Sequence, residues 1–124
     1  MLSKRVVHAT IPAKDLERAK KFYSEKLGFV PDSENAGGVT YKCKDSQFLL
    51  YPTQFAGTAQ HTLAGWQTDA IEKEVEELRG RGVKFEEYDF PGLKTVNGIA
   101  SIGSNKSAWF KDSEGNIIGI VQMG

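Results

Sequence analysis

The residues of this sequence with the most versatile chemistry are two histidines, His8 and His61, and a single cysteine, Cys43. An imidazole can bind a ligand, transfer a proton or coordinate a metal ion. His8 lies in the β-branched run RVVHATI, residues 5–11, which predicts a strand. A histidine in such a strand is either a polar group of a binding site or a hydrogen-bonded residue without a role. The residues alone leave both interpretations open.

Cys43 is flanked by Lys42 and Lys44, a neighbourhood typical of reactive thiols. No base lies near it in the sequence, however, and nucleophilic chemistry needs one. We therefore favour a strand thiol without a role. A single cysteine also excludes an intramolecular disulfide, which fits a reducing compartment.

The composition is that of one globular domain, with 124 residues of which 40% are hydrophobic and 26% charged. The formal net charge is +0, so no basic surplus attracts phosphate groups, and we expect no nucleic-acid partner. No apolar run approaches the length of a membrane span, and the first residues do not form a signal peptide. We expect a cytoplasmic protein that does not bind membranes.

The first half of the chain predicts a strand, a helix and two more strands. Asp15 is the expected N-cap of the helix and Gly28 its C-terminal stop. The strands GVTYKC (38–43) and QFLLYP (47–52) follow a polar loop. The apolar positions of the helix recur at helical spacing: Leu16, Ala19, Phe22, Tyr23 and Leu27.

The second half repeats this layout. A strand, TLAGWQ (62–67), precedes a helix that we expect to be capped by Asp69, with Glu72 completing a capping box. VKFEEY (83–88) and the hairpin WFKDSEGNIIGIVQ (109–122) predict further strands. The loop 89–97 is either a lid that contacts a ligand through Phe90 and Leu93 or a variable surface loop.

The landmarks of the two halves are evenly spaced: Asp15 and Asp69 are 54 residues apart (69 − 15), and so are Gly28 and Gly82 (82 − 28). We therefore predict a single domain, residues 1–124, with module one at 1–53, a linker at 54–60 and module two at 61–124. A half of this size buries little core alone, so the two modules should pack together.

Three stretches resemble one family: HATIPAKDLERAKKFYSEKLGF (8–29), LAGWQTDAIEKEVEELRGRGVKFEEY (63–88) and AWFKDSEGNIIGI (108–120). They resemble the vicinal oxygen chelate (VOC) superfamily, which includes glyoxalase I, extradiol dioxygenases, and fosfomycin- and bleomycin-resistance proteins. The resemblance implies an α+β fold of two βαβββ modules, whose curled mixed sheets surround a shared cavity. It covers nearly the whole chain. It defines chemistry less well, because this superfamily hosts many reactions.

The resemblance also implies four metal-ligand positions, on the first and last strand of each module. Counted from the landmarks, they fall on His8, Leu50, Thr62 and Gly119. Only His8 is a good ligand, so we expect no cofactor and no metal site. A site for a divalent ion (Zn, Ni, Fe or Mn) stays the alternative. It would be completed by His61, turned inward at a strand bulge, or by a ligand from the partner of a dimer.

Strand alternation adds aromatic side chains to this set. Thr62, Ala64 and Trp66 should share one face, and Phe48 should share one with Leu50. The same residues also suit an ordinary core between sheets. The predicted ligand-binding residues are His8, Phe48, Leu50, Thr62, Trp66, Trp109 and Gly119, with His8 the best catalytic candidate.

The sequence thus leads to one preferred function and two alternatives. The preferred function is metal-free binding of a small organic ligand, as in the bleomycin-resistance branch. The first alternative is a metal-dependent lyase, isomerase or dioxygenase of the same superfamily. The second is a structural or interaction module without a ligand. The resemblance implies a homodimer in all three cases.

Overall fold

The computed structural model describes residues 1–124, and its first half is a four-stranded mixed sheet with one helix on one face. The strands lie side by side in the order β1, β4, β3, β2. β1 and β4 run parallel, and the other pairs are antiparallel. The elements are β1 (Ala9–Ala13), α1 (Leu16–Glu25), β2 (Pro31–Asn35), β3 (Gly38–Cys43) and β4 (Ser46–Pro52).

The second half is a six-stranded mixed sheet with one helix, in the strand order β5, β10, β9, β8, β7, β6. β5 and β10 are parallel, as β1 and β4 are in the first sheet. Both halves therefore show the predicted α+β layout, in which a crossover helix separates the first strand from the rest. The elements are β5 (Thr62–Gln67), α2 (Ile71–Gly80), β6 (Asp89–Phe90), β7 (Leu93–Val96), β8 (Ile99–Ile102), β9 (Asn105–Lys111) and β10 (Ile117–Gln122).

The start of each helix is set by a different device. The Asp15 side chain accepts a hydrogen bond from the Arg18 backbone N–H, so Asp15 is the predicted N-cap of α1. The prediction of Asp69 as the cap of α2 is wrong, because the N-cap is Ala70. The free N–H of Ile71 donates instead to the Gln122 side chain, so the last strand caps this helix.

Both helices end close to the predicted glycines. Gly82 has φ +93°, and Gly82 and Val83 donate backbone hydrogen bonds to the Arg79 and Leu78 carbonyls, which is a Schellman motif. Gly28, with φ +80°, takes the matching place after α1. Neither helix has the length and apolar character needed to cross a membrane.

Several strand boundaries differ from the sequence predictions. β1 begins at Ala9 rather than at residue 5. β2 lies in the segment that the sequence predicts as a polar loop. Its side chains are all exposed, so no apolar alternation marks this segment as a strand. The segment 83–88 forms only one isolated bridge, at Phe85, rather than a strand. The loop 89–97 contains the short strands β6 and β7, with Phe90 52% exposed.

The core lies between the sheets and the two helices, on what we call the helix face of each sheet. In the first sheet, Ile11 and Leu50 pack with Tyr23 of α1. In the second sheet, Ile118 and Phe110 pack with helix α2. Four partly buried side chains contact both clusters and make one continuous core: Phe22, Leu27, Ala64 and Trp66.

The turn between β9 and β10, residues 112–116, fastens the second sheet to the first. The Tyr23 hydroxyl donates to Asp112 at 2.7 Å, and Arg18 Nε donates to Glu114 at 2.8 Å. The Asn116 amide donates to the Pro12 carbonyl at 2.8 Å. The bonds of this turn thus reach both α1 and β1.

Glu114 is buried at the centre of these contacts. Burial alone would raise the pKa of its carboxyl group, but the Arg18 guanidinium, the Asp15 backbone N–H and the Ser113 hydroxyl all donate to it. These hydrogen bonds outweigh the desolvation and lower the pKa of Glu114 to about 2. The turn therefore holds a buried carboxylate that stays ionised.

Candidate functional site

A β-bulge in β5 determines which of its side chains face the helices. Thr62 pairs with Ile117 of β10, but the next pair joins Ala64 to Ile118, so Leu63 is the extra residue. Ala64 and Trp66 therefore share the helix face with Ile118, and Thr62 lies on the opposite, inner face. The prediction that Thr62, Ala64 and Trp66 share one face is wrong because of this bulge.

On the inner face, the space left by Gly119 is filled by its neighbours. Gly119 pairs with Trp109 across β9 and β10. A Cβ atom at position 119 would lie 3.2 Å from Thr62 Cγ2 and 3.5 Å from Trp109 Cδ1. The indole N–H of Trp109 donates to Thr62 Oγ1 at 3.1 Å. A side chain at position 119 would therefore crowd Thr62 and the Trp109 indole ring.

Tyr88 extends this aromatic surface. Its ring meets Trp109 edge to face at 5.6 Å between centroids, and Phe90 lies 5.9 Å from Tyr88 on the other side. Tyr88 is held by Thr95, whose hydroxyl accepts the Tyr88 backbone N–H at 2.8 Å. The three rings line the inner face of the second sheet.

A pocket of about 530 Å³ opens where the two halves meet, between the start of β1, the β3–β4 turn and β5. His8, Phe48 and Trp66 lie on its wall, with further polar groups from Gln47 and Gln67. Phe48 and Trp66 meet edge to face at 5.5 Å between ring centroids. The pocket therefore combines a fixed aromatic wall with an exposed imidazole.

The structure divides the predicted ligand residues into two groups. His8, Phe48 and Trp66 share the pocket, whereas Thr62, Trp109 and Gly119 form the inner-face cluster. Leu50 belongs to neither, because it is fully buried beneath α1. The parallel register pairs Ile11 with Leu50, and both side chains point to the helix.

The same register corrects the position opposite His8. Ala9 pairs with Phe48, so one step back places Gln47 of β4 opposite His8. Counting from the β3–β4 turn gave Leu50, which is off by an odd number of residues and therefore on the wrong face. Gln47, Lys44 and Gln67 are pocket residues that the sequence reasoning missed.

The four metal-ligand positions of the resemblance offer a poor donor set for a divalent ion. They hold an imidazole at His8, an amide at Gln47, a hydroxyl at Thr62 and no side chain at Gly119. No three His, Cys, Asp or Glu side chains come together in a group that suits a metal. The His61 ring nitrogen Nδ1 lies 3.0 Å from the Thr62 carbonyl oxygen, and His61 is not on the pocket wall. These residues do not fit the superfamily's metal centre.

The chain is a paired-module α+β protein. Each of its two mixed sheets has a helix after its first strand, the β9–β10 turn fastens one sheet to the other, and a pocket lies at their junction. The sequence model described as "Glyoxalase/Bleomycin resistance protein/Dioxygenase superfamily" matches residues 5–120. The chain belongs to this superfamily.

Solved structures with the same fold are known. UcmS2 has 23% sequence identity and a TM-score of 0.73, over 94% of this chain and 96% of that one. A putative glyoxalase family protein from Bacillus anthracis has 18% identity and a TM-score of 0.73, over 98% and 96%. TnmS3, an antibiotic binding protein from Streptomyces sp. CB03234, has 23% identity and a TM-score of 0.65, over 96% and 98%. No curated protein sequence matches the chain significantly.

Proposed function

We propose that this protein binds a small organic molecule, without a metal ion, in the pocket at the start of β1. The observation that carries the proposal is the meeting of His8, Phe48 and Trp66 on the wall of one pocket of about 530 Å³. Small-molecule sites typically measure roughly 300–1,000 Å³ and combine an apolar wall with a few polar groups. This pocket has both properties.

The lining indicates the class of ligand. Trp66 is partly exposed and offers a ring surface to a planar apolar group, and the buried Phe48 ring supports it from behind. Lys44 contributes an ammonium group to the wall, and His8, Gln47 and Gln67 can donate hydrogen bonds. A planar molecule with carbonyl, hydroxyl or anionic oxygen substituents complements this set. TnmS3 is an antibiotic binding protein of the same fold, which supports an antibiotic-like ligand of this kind.

The proposal is tested by following tryptophan fluorescence during titration. Trp66 and Trp109 are the two tryptophans, so Trp109→Phe makes Trp66 the only reporter. Anthraquinone-2-sulfonate serves as a planar anionic probe and metal-free bleomycin as an antibiotic probe. We expect saturable quenching by at least one probe, with an affinity that EDTA does not change.

His8→Ala and Gln47→Ala should weaken binding at least fivefold, the order expected for lost hydrogen bonds. His61→Ala is the matched control, because His61 is exposed and outside the pocket. Absence of saturable quenching by both probes would contradict the proposal. So would equal weakening by His8→Ala and His61→Ala, or binding that requires an added divalent ion.

A further inference from the structure

A second cavity, of about 190 Å³, lies on the helix face, beneath the loop after α1 and the middle of α2. Its wall shares only Trp66 and Gln67 with the wall of the His8 pocket. Six apolar side chains form most of its wall: Leu27, Phe29, Trp66, Leu78, Phe110 and Ile120. It therefore lies at the edge of the shared core, partly open to solvent, where both halves of the chain contribute.

The walls of this cavity are held in place by their other contacts. Phe29 lies 5.7 Å from Trp66 and 5.0 Å from Phe48 between ring centroids. Its backbone N–H donates to the Tyr23 carbonyl at 2.9 Å, after the positive-φ residue Gly28. Phe110 meets Phe85 edge to face at 5.6 Å. These contacts hold the rings in place before a ligand binds, which lowers the ordering cost of binding.

The size of the cavity fits one aromatic ring. An engineered apolar cavity of roughly 150 Å³ in another protein stays dry and binds benzene. A volume of about 190 Å³ leaves room for a ring with a short substituent. Larger molecules, such as the two probes for the first pocket, exceed this volume.

One charged side chain lies at the wall of this cavity. Glu74 is on α2, one turn before Leu78, and so on the same side of the helix. Two other glutamates of α2 have cationic partners, since Glu72 pairs with Lys106 and Glu77 with Arg81, whereas Glu76 is unpaired but is not on the cavity wall. Glu74 takes part in none of the protein's salt bridges. An unpaired carboxylate beside an aromatic cavity complements a ligand that carries both a ring and a positive charge.

We propose that this cavity is a second binding site, specific for a small aromatic amine whose ring enters the apolar gap and whose ammonium group pairs with Glu74. Gln67 and Thr68, at the end of β5, add side-chain oxygens that can accept from the ammonium group. The site depends on no residue of the metal positions and does not require the first pocket to be occupied.

The test uses 2-phenylethylamine as the cationic probe and 2-phenylethanol as its neutral counterpart of nearly equal size. Binding is followed by two-dimensional NMR of the full chain. With the amine, we expect saturable shifts at Phe29, Leu78 and Ile120, and affinity at least fivefold above that for the alcohol. Glu74→Gln should remove this preference for the amine and leave the weak binding of the alcohol unchanged.

Glu77→Gln is the matched control, because Glu77 lies on the same helix, pairs with Arg81 and is not on the cavity wall. It should keep the preference for the amine. The proposal is overturned if the amine causes no saturable shifts at millimolar concentration, or if its shifts are confined to His8 and Gln47. It is also overturned if the amine and alcohol bind equally to the unmodified chain, or if Glu77→Gln lowers the preference as much as Glu74→Gln does.

Discussion

The hydroxyl group of Tyr23 donates a 2.7 Å hydrogen bond to the carboxylate of Asp112, which is 89 residues further along the chain. Both side chains are buried, and burial together with the Asp112 charge raises the pKa of Tyr23 well above its ordinary value. Asp112 also accepts from the side chain of Asn116. This pair thus connects the helix of the first sheet to the last hairpin of the second.

Tyr23→Phe should lower the free energy of unfolding by about 1–3 kcal/mol, because it removes the donor and leaves part of a buried carboxylate unsatisfied. Urea unfolding followed by circular dichroism measures the loss. Tyr51→Phe is the control, since Tyr51 is a half-buried tyrosine of β4 outside this set of bonds. If both substitutions cost the same, the bond to Asp112 has no special part in stability.

The stability of the protein should fall on acidification through the titration of Glu114. The pKa of Glu114 is lowered from 4.5 to about 2 in the folded chain, so the unfolded chain binds a proton first. The stabilisation from Glu114 is therefore complete above about pH 4.5 and is lost progressively as the pH falls toward 2. Glu114→Gln should be less stable at neutral pH and should show a flatter dependence across this range.

Chemical unfolding at a series of pH values measures this dependence. Glu76→Gln is the control, because Glu76 is exposed on α2 and makes no salt bridge. It should leave the slope between pH 4.5 and 2 as in the unmodified chain. A Glu114→Gln slope equal to that of the control would show that another group governs acid unfolding.

Gly119→Ala should destabilise the protein by roughly 1–2 kcal/mol, because the new methyl group is too close to Thr62 Cγ2 at 3.2 Å. Displacing Thr62 also disturbs its hydrogen bond with the Trp109 indole. Thr62→Ser removes that methyl group and keeps the hydroxyl, so the double substitution should recover most of the loss. Thermal unfolding and tryptophan emission report both effects.

Gly65→Ala is the matched control in the neighbouring strand. Its added Cβ would meet only the Gly119 carbonyl oxygen, at an ordinary 3.6 Å, and should change stability little. Failure of Thr62→Ser to relieve Gly119→Ala would mean that the crowding lies elsewhere.

Divalent metals should not stabilise the folded chain. A ligand present at a hundred times its Kd stabilises the state it binds by roughly 2.7 kcal/mol, which is several degrees in Tm for a domain of this size. The positions of His8, Gln47, Thr62 and Gly119 lack the donors for such binding, so Tm should stay constant with Zn²⁺, Ni²⁺ or Mn²⁺. A saturable rise that His8→Ala abolishes and His61→Ala preserves would refute this prediction.

The sequence predicted the features that local residues determine. Asp15 caps α1 through its own side chain, and Gly28 and Gly82 supply the positive φ that ends each helix. These signals act within a few residues, so their types and spacing are readable directly. The repeat of 54 residues between Gly28 and Gly82 (82 − 28) then indicated the paired layout.

The orientation of the strand side chains could not be read in the same way. One extra residue at Leu63 reverses the faces of Ala64 and Trp66 relative to Thr62, and nothing in TLAGWQ marks the bulge. The error at Leu50 has the same origin, because a register count that is off by an odd number changes the face. The partners of Glu114 were also hidden, since Arg18 is 96 residues away.

The distance in sequence between these partners has a consequence for synthesis. Module one leaves the ribosome first, and α1 then carries Arg18 and Tyr23 without the groups that they bind in the finished protein. The Pro12 carbonyl likewise lacks its hydrogen-bond donor until Asn116 has been synthesised. Until the final hairpin is translated, these groups of the first half therefore lack their partners, and a translational pause before residue 112 would prolong that state.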